Sequence, residues 1–200
     1  MATAGTKGVP RPERERQILD VAAQHIGRVG YAGLSLAEIA HQAGGSKPLV
    51  YGYFGTKDGL YTACVERAAT ILAEAIEQAI TSTASLEMAQ HTLDALFAAL
   101  EPRPHDWNVL FDRSAPRGGP AGDAVRIARR RIAHQAAQGI ATVFDATGIT
   151  DPNDLSALTD VWMGAVTSLV NWWLRHPEQT AAEMSARSKR LIDALATVQR

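Results

Sequence analysis

The sequence contains one cysteine, few aromatic residues and no long apolar run. Because Cys64 has no second thiol to pair with, an internal disulfide is excluded. Its helical surroundings of small residues indicate a core position rather than a redox role. No stretch approaches the roughly 18 consecutive apolar residues of a membrane span, and no charged and apolar leader precedes a cleavage site. We therefore expect a cytoplasmic protein without a membrane partner.

The sequence also lacks the spacings that build metal sites, phosphate loops and nucleophilic centres. Its six histidines are nowhere spaced as metal ligands. The segment Gly44-Gly45-Ser46-Lys47 resembles the end of a phosphate loop, but it has neither the upstream glycine nor a preceding strand. No nucleophile can be paired with a base. The sequence thus predicts no metal, no cofactor and no enzymatic activity.

The charge of the chain is small overall and unevenly divided. The net charge is −1, which gives no general preference for nucleic acid. Residues 1–57, however, hold 7 Lys and Arg against 4 Asp and Glu, whereas residues 58–200 hold 13 against 17. Only the N-terminal part is therefore modestly basic, as expected for a local electrostatic contact with DNA.

Residues 34–61 carry the most specific pattern, two short helices separated by a glycine turn. Ser35 followed by Glu38 is a capping box that starts the first helix. Gly44-Gly45 ends it, because glycine enters left-handed conformations without steric cost. Ser46 is then the N-cap of the second helix. The apolar face of the first helix, spaced at i, i+3, i+4 and i+7, consists of Leu36, Ile39, Ala40 and Ala43.

The second helix of this pair has two unlike faces. At about 100° per residue, its apolar arc consists of Leu49, Val50, Tyr53 and Phe54. The opposite face consists of Lys47, Pro48, Tyr51 and Gly52. A solvated face normally carries Glu, Lys or Gln, and glycine inside a helix costs about 0.8–1 kcal/mol relative to alanine. The glycine therefore indicates that another surface comes close to this face.

This second face suits the major groove of DNA. Lys47 can donate to guanine, and the ring of Pro48 can touch a thymine methyl group. Tyr51, Tyr53 and Lys57 suit phosphate contacts, which fix register without reading sequence. The alternative is a small helical domain whose odd face is merely exposed. The predicted DNA-binding residues are Ser35, Ser46, Lys47, Pro48, Tyr51, Gly52, Tyr53 and Lys57.

The first 61 residues match one family at many positions. These positions are Arg16, Ile18-Leu19, Ala22-Ala23, Gly30-Tyr31, Ser35-Leu36, Ile39-Ala40, Ala43-Gly44, Ser46, Leu49-Val50-Tyr51, Tyr53-Phe54, Lys57 and Leu60-Tyr61. As a set they resemble the tetracycline-repressor (TetR) family of transcriptional regulators. The chain departs from that pattern at Gly45, where a β-branched residue is common. The resemblance implies an all-α chain with an N-terminal three-helix helix-turn-helix DNA-binding domain and a C-terminal helical ligand-binding and dimerisation domain.

We accordingly divide the chain into three parts. Residues 1–10 are expected to be a flexible arm, residues 11–57 the helix-turn-helix domain, and residues 58–200 the effector-binding and dimerisation domain. The residues that could add phosphate contacts near the arm are Lys7, Arg11 and Arg14.

Outside the two short helices of residues 34–61, periodicity predicts a series of helices without strand alternation. The first, residues 16–29, has an apolar stripe of Ile18, Leu19, Ala22, Ala23, Ile26 and Val29. The later helices are expected over residues 57–80, 85–100, 106–113, 123–147, 151–175 and 178–198, with a loop over 114–122.

The last two of these helices indicate a homodimer. The apolar residues of the first are Leu155, Leu158, Val161, Trp162, Ala165, Val166, Leu169, Val170, Trp172 and Trp173. A helix that is apolar on more than one side needs more than one partner. The final helix has a narrower stripe of Leu191, Ile192, Leu195 and Val198. Packed against their copies, the two helices form a four-helix interface; alternatively, both stripes serve only the internal core.

An effector pocket enclosed by helices should be mostly apolar with a few polar groups. Trp107 and Phe111, spaced i and i+4, are the first candidates for its lining. The others are Phe97, Met88, Met163 and Asn171. For each of these residues the alternative is an ordinary core position. Arg126 and Arg129-Arg130-Arg131 form a basic cluster that we interpret as a solvated or salt-bridged face, with contact to an acidic effector as the alternative.

Three functional classes remain at this stage. The favoured one is a ligand-responsive repressor, released from a palindromic operator by a small, largely apolar effector, because it uses both the reading face and the large helical remainder. The second is a DNA-binding regulator without a small-molecule effector, controlled by a protein or acting as an activator. An all-helical enzyme comes last, since no convergent polar constellation supports it.

Overall fold

The computed structural model describes residues 9–80, 86–145 and 147–197, and its regular structure there is entirely α-helical. The helices are α1 Arg11–Val29, α2 Leu36–Gln42, α3 Lys47–Phe54, α4 Lys57–Ala79, α5 Leu86–Leu100, α6 Asp106–Leu110, α7 Gly119–Asp145, α8 Pro152–Leu174 and α9 Ala181–Thr197. We call α1–α3 the head and α5–α9 the body. The helix α4 joins them, and the predicted all-α class is confirmed.

Proline explains the two largest differences from the predicted boundaries. The helix α1 begins at Arg11 rather than at residue 16, with Pro12 in its first turn. Likewise α7 begins at Gly119, inside the predicted loop, with Pro120 in its first turn. First-turn amides have no acceptor within the helix, so proline is tolerated there. The helix α6 is shorter than predicted and ends at Leu110.

The head is built around the predicted apolar faces of α1 and α2. Ile18, Ile26, Ile39 and Val50 are fully or almost fully buried and pack together with α4. Val29 was wrongly assigned to this stripe, since 48% of its surface is exposed. The chain turns away at Gly30, and the Val29 side chain covers the turn beside Gly33 instead of entering the core.

The body continues the same core, with α4 packed on α5 and α7, α5 on α9, and α7 on α8. Phe97 of α5 meets Trp173 of α8 edge to face, at 5.5 Å between ring centroids. Cys64 is buried in α4, as predicted, and burial raises the pKa of its thiol to about 12. It is therefore an inert core residue at neutral pH. Among the described residues, no helix is both long and apolar enough to cross a membrane.

Candidate nucleic-acid interface

The turn between α2 and α3 is fixed by caps on both sides. The Ser35 hydroxyl accepts from the Glu38 amide at 3.4 Å, and the Ser46 hydroxyl accepts from the Leu49 amide at 3.3 Å. Between them the Gly45 amide donates to the Ala40 carbonyl at 2.8 Å. The neighbouring Gly44 has φ +64°, a left-handed conformation that favours glycine. The start of α3 is therefore set by local hydrogen bonds.

The predicted sorting of the α3 side chains into two faces is confirmed. Val50 is buried, and the other members of the apolar arc, Leu49, Tyr53 and Phe54, are half-buried. The members of the opposite face, Lys47, Pro48, Tyr51 and Gly52, are all exposed. We call these four residues the reading face. It carries one cation, one hydroxyl and one rigid ring, which is a combination that can contact base edges and phosphates.

Gly52 leaves a gap in the middle of this face. A Cβ atom built at Gly52 meets no other atom within 4 Å, so packing inside the protein does not require a glycine there. Beside it, the Lys47 ammonium lies 5.7 Å from the centre of the Tyr51 ring. The cation and the aromatic ring therefore share one side of α3, and the missing side chain lets another surface approach the helix backbone.

The residues that flank the reading face make contacts within the head. Tyr53 donates from its hydroxyl to the Arg11 carbonyl at 3.4 Å. The Lys57 ammonium donates to the Ala32 carbonyl at 3.4 Å and lies 4.4 Å above the Tyr31 ring. A phosphate contact by Tyr53 or Lys57 would replace or share these bonds. Their roles at DNA stay predictions.

The structure corrects one candidate phosphate contact, Arg14. Its side chain is buried, with 7% of the residue exposed, and it donates to the Ala43 carbonyl at 3.1 Å. Arg14 thus ties α1 to the turn after α2 and is not presented to a partner. Arg11 is exposed. Lys7 and the predicted flexible arm, except for residues 9 and 10, lie outside the described residues.

The predicted effector-site residues fall into two groups. Trp107 and Phe111 lie side by side, at 4.5 Å between ring centroids, and Trp107 is almost fully buried. The Trp107 indole donates to the Thr167 hydroxyl of α8 at 3.1 Å, and the Thr167 hydroxyl in turn donates to the Met163 carbonyl at 2.8 Å. One turn on, the Asn171 side chain accepts from Asn108 at 3.2 Å. The structure therefore brings Trp107 and Asn171 together where α6 meets α8, with Phe111 beside Trp107. Met163 is linked to them only through its backbone carbonyl within α8.

The other two predicted residues lie elsewhere in the core. Phe97 packs on Trp173, and the end of the Met88 side chain lies beside Gly139 of α7. Both are buried. Whether any of the six residues lines an effector pocket stays a prediction.

A contact that the sequence did not reveal joins the head to the body. The Asp112 carboxylate accepts from the Tyr31 amide at 2.6 Å and from the Tyr61 hydroxyl at 3.3 Å. It also accepts from the amide and hydroxyl of Ser114, each at 2.8 Å. The Ser114 hydroxyl accepts in turn from the Ala32 amide at 3.1 Å. We call this set of hydrogen bonds the junction.

The junction is held from the body side by Arg129. Its guanidinium donates to the Leu110 carbonyl at 2.7 Å and to the Asp112 carbonyl at 2.6 Å. The prediction of a solvated or salt-bridged face is wrong for Arg129, which is half-buried and bonds main-chain carbonyls. The short spacing of Asp112 and Ser114 is typical of a side-chain turn. It could have indicated the local bond, but not the partners in the turn after α1 and on α4 and α7.

A second charged link lies beside the junction. Arg67 of α4 donates to Asp20 at 2.6 Å and to the Leu19 carbonyl at 3.2 Å, and lies 3.9 Å from Asp106. The buried Asp106 carboxylate also lies 3.4 Å from Arg103, without the alignment of a hydrogen bond. Burial raises the pKa of Asp106 to about 6, although both guanidiniums act to lower it.

This buried carboxylate makes stability depend on pH. Asp106 holds its proton more tightly in the folded chain than in the unfolded chain, so its ionisation between about pH 4 and 6 destabilises the fold. Relative to Asp106→Asn, the unfolding free energy of the wild type should fall by up to about 2 kcal/mol across this window. Urea unfolding at several pH values measures the difference. The exposed control Asp123→Asn should show no such trend, and a flat difference for Asp106→Asn would contradict the prediction.

Comparisons with known proteins agree with this geometry. Residues 18–64 match the family model of bacterial regulatory proteins of the tetR family. The transcriptional activator FasR of Mycolicibacterium smegmatis is 31% identical over 105 residues, which cover 52% of this chain and 48% of FasR. In that match the chain spans about half the length of its relative.

The likeness to solved structures extends further along the chain. A TetR-like regulator from Rhodococcus sp. RHA1 has a TM-score of 0.69 at 23% identity, covering 94% of this chain and 96% of the other. AibR, solved with isovaleryl coenzyme A and operator DNA, has a TM-score of 0.70 at 18% identity, covering 88% of this chain and 96% of AibR. At these identities the likeness establishes the fold of both head and body.

A helix exposed on a three-helix head, with a larger helical body behind it, is the arrangement of a helix-turn-helix domain joined to a second helical domain. The head carries the domain that the family model of tetR-type bacterial regulatory proteins describes, and the fold of head and body is similar to that of TetR-like regulators. The relatives named above are regulators rather than enzymes, so the predicted class of protein and the resemblance on which it rested are confirmed.

Proposed function

We propose that this protein is a dimeric, ligand-responsive repressor that a small, largely apolar effector releases from a palindromic operator. In this proposal residues 11–57 read DNA and residues 58–200 bind the effector and form the dimer. The protein acts in the cytoplasm, where its DNA partner lies. The observation that carries the proposal is the exposed reading face of α3.

In the proposed complex, the N-terminal half of α3 enters the major groove. Lys47 and Pro48, in the first turn of α3, contact base edges. Tyr51, Tyr53 and Lys57 contact phosphates and set the register, with the cap hydroxyls of Ser35 and Ser46 at the edge of the contact. Gly52 allows the helix backbone to come close to the DNA.

A homodimer is supported by a face of α8 that the other described residues leave exposed. Val161 is 69% exposed, and the nearby Gly164 and Ala165 are exposed as well. On α9, Leu191 is 49% exposed. Small and apolar residues on adjacent helices suit a close four-helix interface between two copies. The two reading helices would then meet half-sites one or a few helical turns apart, at about 34–36 Å per turn.

For the effector we propose the interface of α6 and α8, around Trp107 and Phe111. AibR was solved with isovaleryl coenzyme A, so the first compounds to screen are acyl-coenzyme A thioesters, of which only the acyl group is small and apolar, together with the corresponding free acids. A ligand that separates α6 from α8 would displace Asp112, which lies five residues after Trp107 and directly after Phe111. Displacing Asp112 would in turn displace the head. Opposed binding of ligand and DNA would have a coupling free energy of roughly 1–3 kcal/mol.

The test of DNA reading is a pair of lysine variants measured on operator and on random DNA. Lys47→Ala should cost about 1–3 kcal/mol on the operator and relax the preference at one base pair. Lys57→Ala should weaken binding to all sequences alike and reduce the salt dependence by about one ion. The operator is first obtained by selection from random DNA. If both variants lose the same affinity on the operator and on random DNA, Lys47 does not read a base.

The second candidate is a regulator that activates transcription or responds to a protein instead of a small molecule. The description of FasR as an activator favours it. Transcription in vitro from a promoter with the selected operator distinguishes the two, because a repressor lowers the yield of transcript and an activator raises it.

A further inference from the structure

A cleft on the outside of the body lies between α4 and α7, apart from both the reading face and the pair Trp107 and Phe111. Its volume is about 580 Å³, and one side is open to solvent. Its walls include Glu77 and Ile80 at the end of α4, and Arg130, Arg131, His134 and Gln135 of α7.

The cleft is electropositive. Arg131 lies 3.6 Å from Glu77, so that one positive charge is compensated at the rim. Arg130 and His134 have no ion-pair partner among the described residues. The remaining charge of the walls is therefore positive, and a small anion would be attracted to it.

Gln135 supplies a second, independent indication of a ligand. Its side chain is 93% buried, and its amide group donates to the Ala73 carbonyl of α4 at 2.8 Å. That bond fixes which end of the amide is nitrogen and which is oxygen. The Gln135 Oε1 atom, which is also buried, has no hydrogen-bond partner among the residues that the structure describes. Buried acceptors are nearly always satisfied in native proteins, and this one belongs to a residue that lines the cleft.

We propose that the cleft binds a small oxyanion that carries its own hydrogen-bond donor. The negative oxygens would lie against Arg130 and His134, and a shift of the side chains that cover Oε1 of Gln135 would let the donor reach it. A hydroxycarboxylate and a hydrogen phosphate group share this chemistry. The site is separate from the proposed effector site and does not depend on the proposed DNA-binding function.

Two matched pairs of anions test the requirement for a donor. Near neutral pH inorganic phosphate keeps a P–OH group, whereas sulfate has none; glycolate has a hydroxyl beside its carboxylate, whereas acetate has none. Each is titrated into the full chain at constant ionic strength, and NMR follows the Gln135 side-chain amide and the backbone amides of His134 and Gln138. In at least one pair, the anion with the donor should bind about fivefold or more tightly than the anion without it. A larger ratio for phosphate over sulfate indicates a hydrogen phosphate group, and a larger ratio for glycolate over acetate indicates a hydroxycarboxylate.

Variants separate a site from general attraction to a basic surface. Arg130→Gln, an exposed change, should weaken the preferred anion about threefold to tenfold. The matched control Arg126→Gln lies one turn earlier on α7, outside the cleft, and should leave affinity unchanged. Gln135→Leu should remove the preference within the pair and leave sulfate or acetate binding as it was.

Equal binding within both pairs of anions would overturn the proposal. So would equal effects of the Arg126 and Arg130 variants. If Gln135→Leu fails to fold, the anion pairs and the two arginine variants still decide the question. Because no DNA is present in these titrations, failure of this site and failure of the proposed regulator are distinguishable.

Discussion

Gly52→Gln should abolish most of the operator affinity while making the protein slightly more stable. The position is exposed and a side chain there meets no other atom nearby, so the fold gains helix propensity, about 0.5–1 kcal/mol in unfolding free energy. At the DNA surface the same side chain would hold α3 out of the groove. The expected loss is about a hundredfold in affinity, or about 3 kcal/mol.

Urea unfolding and operator titration measure these opposite effects. Gly52→Ala should give the same stabilisation with a smaller loss of affinity, because it adds only one methyl group. The exposed control Ala133→Gln on α7 introduces the same side chain and should leave operator affinity unchanged. Unchanged operator affinity in Gly52→Gln would show that Gly52 does not face DNA, and would weaken the assignment of the reading face.

Asp112→Ala should loosen the head from the body. The substitution removes the acceptor for the Tyr31 amide and one of the two acceptors for the buried Tyr61 hydroxyl, which also donates to the Val109 carbonyl at 3.4 Å. Burial, followed by the Asp112 charge, raises the pKa of Tyr61, so this hydroxyl stays a donor that needs a partner. The Tyr31 amide is left unpaired, while the Tyr61 hydroxyl keeps its bond to Val109. One unpaired donor near the core gives an expected loss of about 1–3 kcal/mol in unfolding free energy.

Hydrogen exchange distinguishes loosening of the junction from a general loss of stability. Exchange of the Tyr31 amide should accelerate by at least about tenfold more than exchange in the middle of α7. Ser114→Ala is the matched control, because it removes the bond to Ala32 but keeps the Asp112 bonds to Tyr31 and Tyr61. If α7 and Tyr31 accelerate equally in Asp112→Ala, the junction does not act as a local link between head and body.

The parts of the site that the sequence predicted are those set by local rules. The caps at Ser35 and Ser46 act over three residues, and the two faces of α3 follow from helix geometry alone. The glycine turn is equally local, with the left-handed conformation at Gly44. Such features can be derived from a segment without knowing what packs against it.

The features that the sequence did not predict depend on partners far along the chain. Arg14 bonds a carbonyl 29 residues away, and Asp112 bonds an amide 81 residues away. Neither side chain differs in type from an ordinary surface residue. Periodicity placed Val29 on the core stripe, but the stripe ends where the chain turns at Gly30. In each case the tertiary contact, rather than local propensity, determined the outcome.

The junction also bears on how the chain is synthesised. The head is complete in sequence once Phe54 has been made, yet the amides of Tyr31 and Ala32 find their partners only at Asp112 and Ser114. Asp112 and Ser114 are synthesised only after a further stretch of chain about as long as the part that ends at Phe54. The reading helix therefore leaves the ribosome on a head that lacks its attachment to the body. The position of the reading helix relative to the body is therefore fixed only after the second half of the protein has been synthesised.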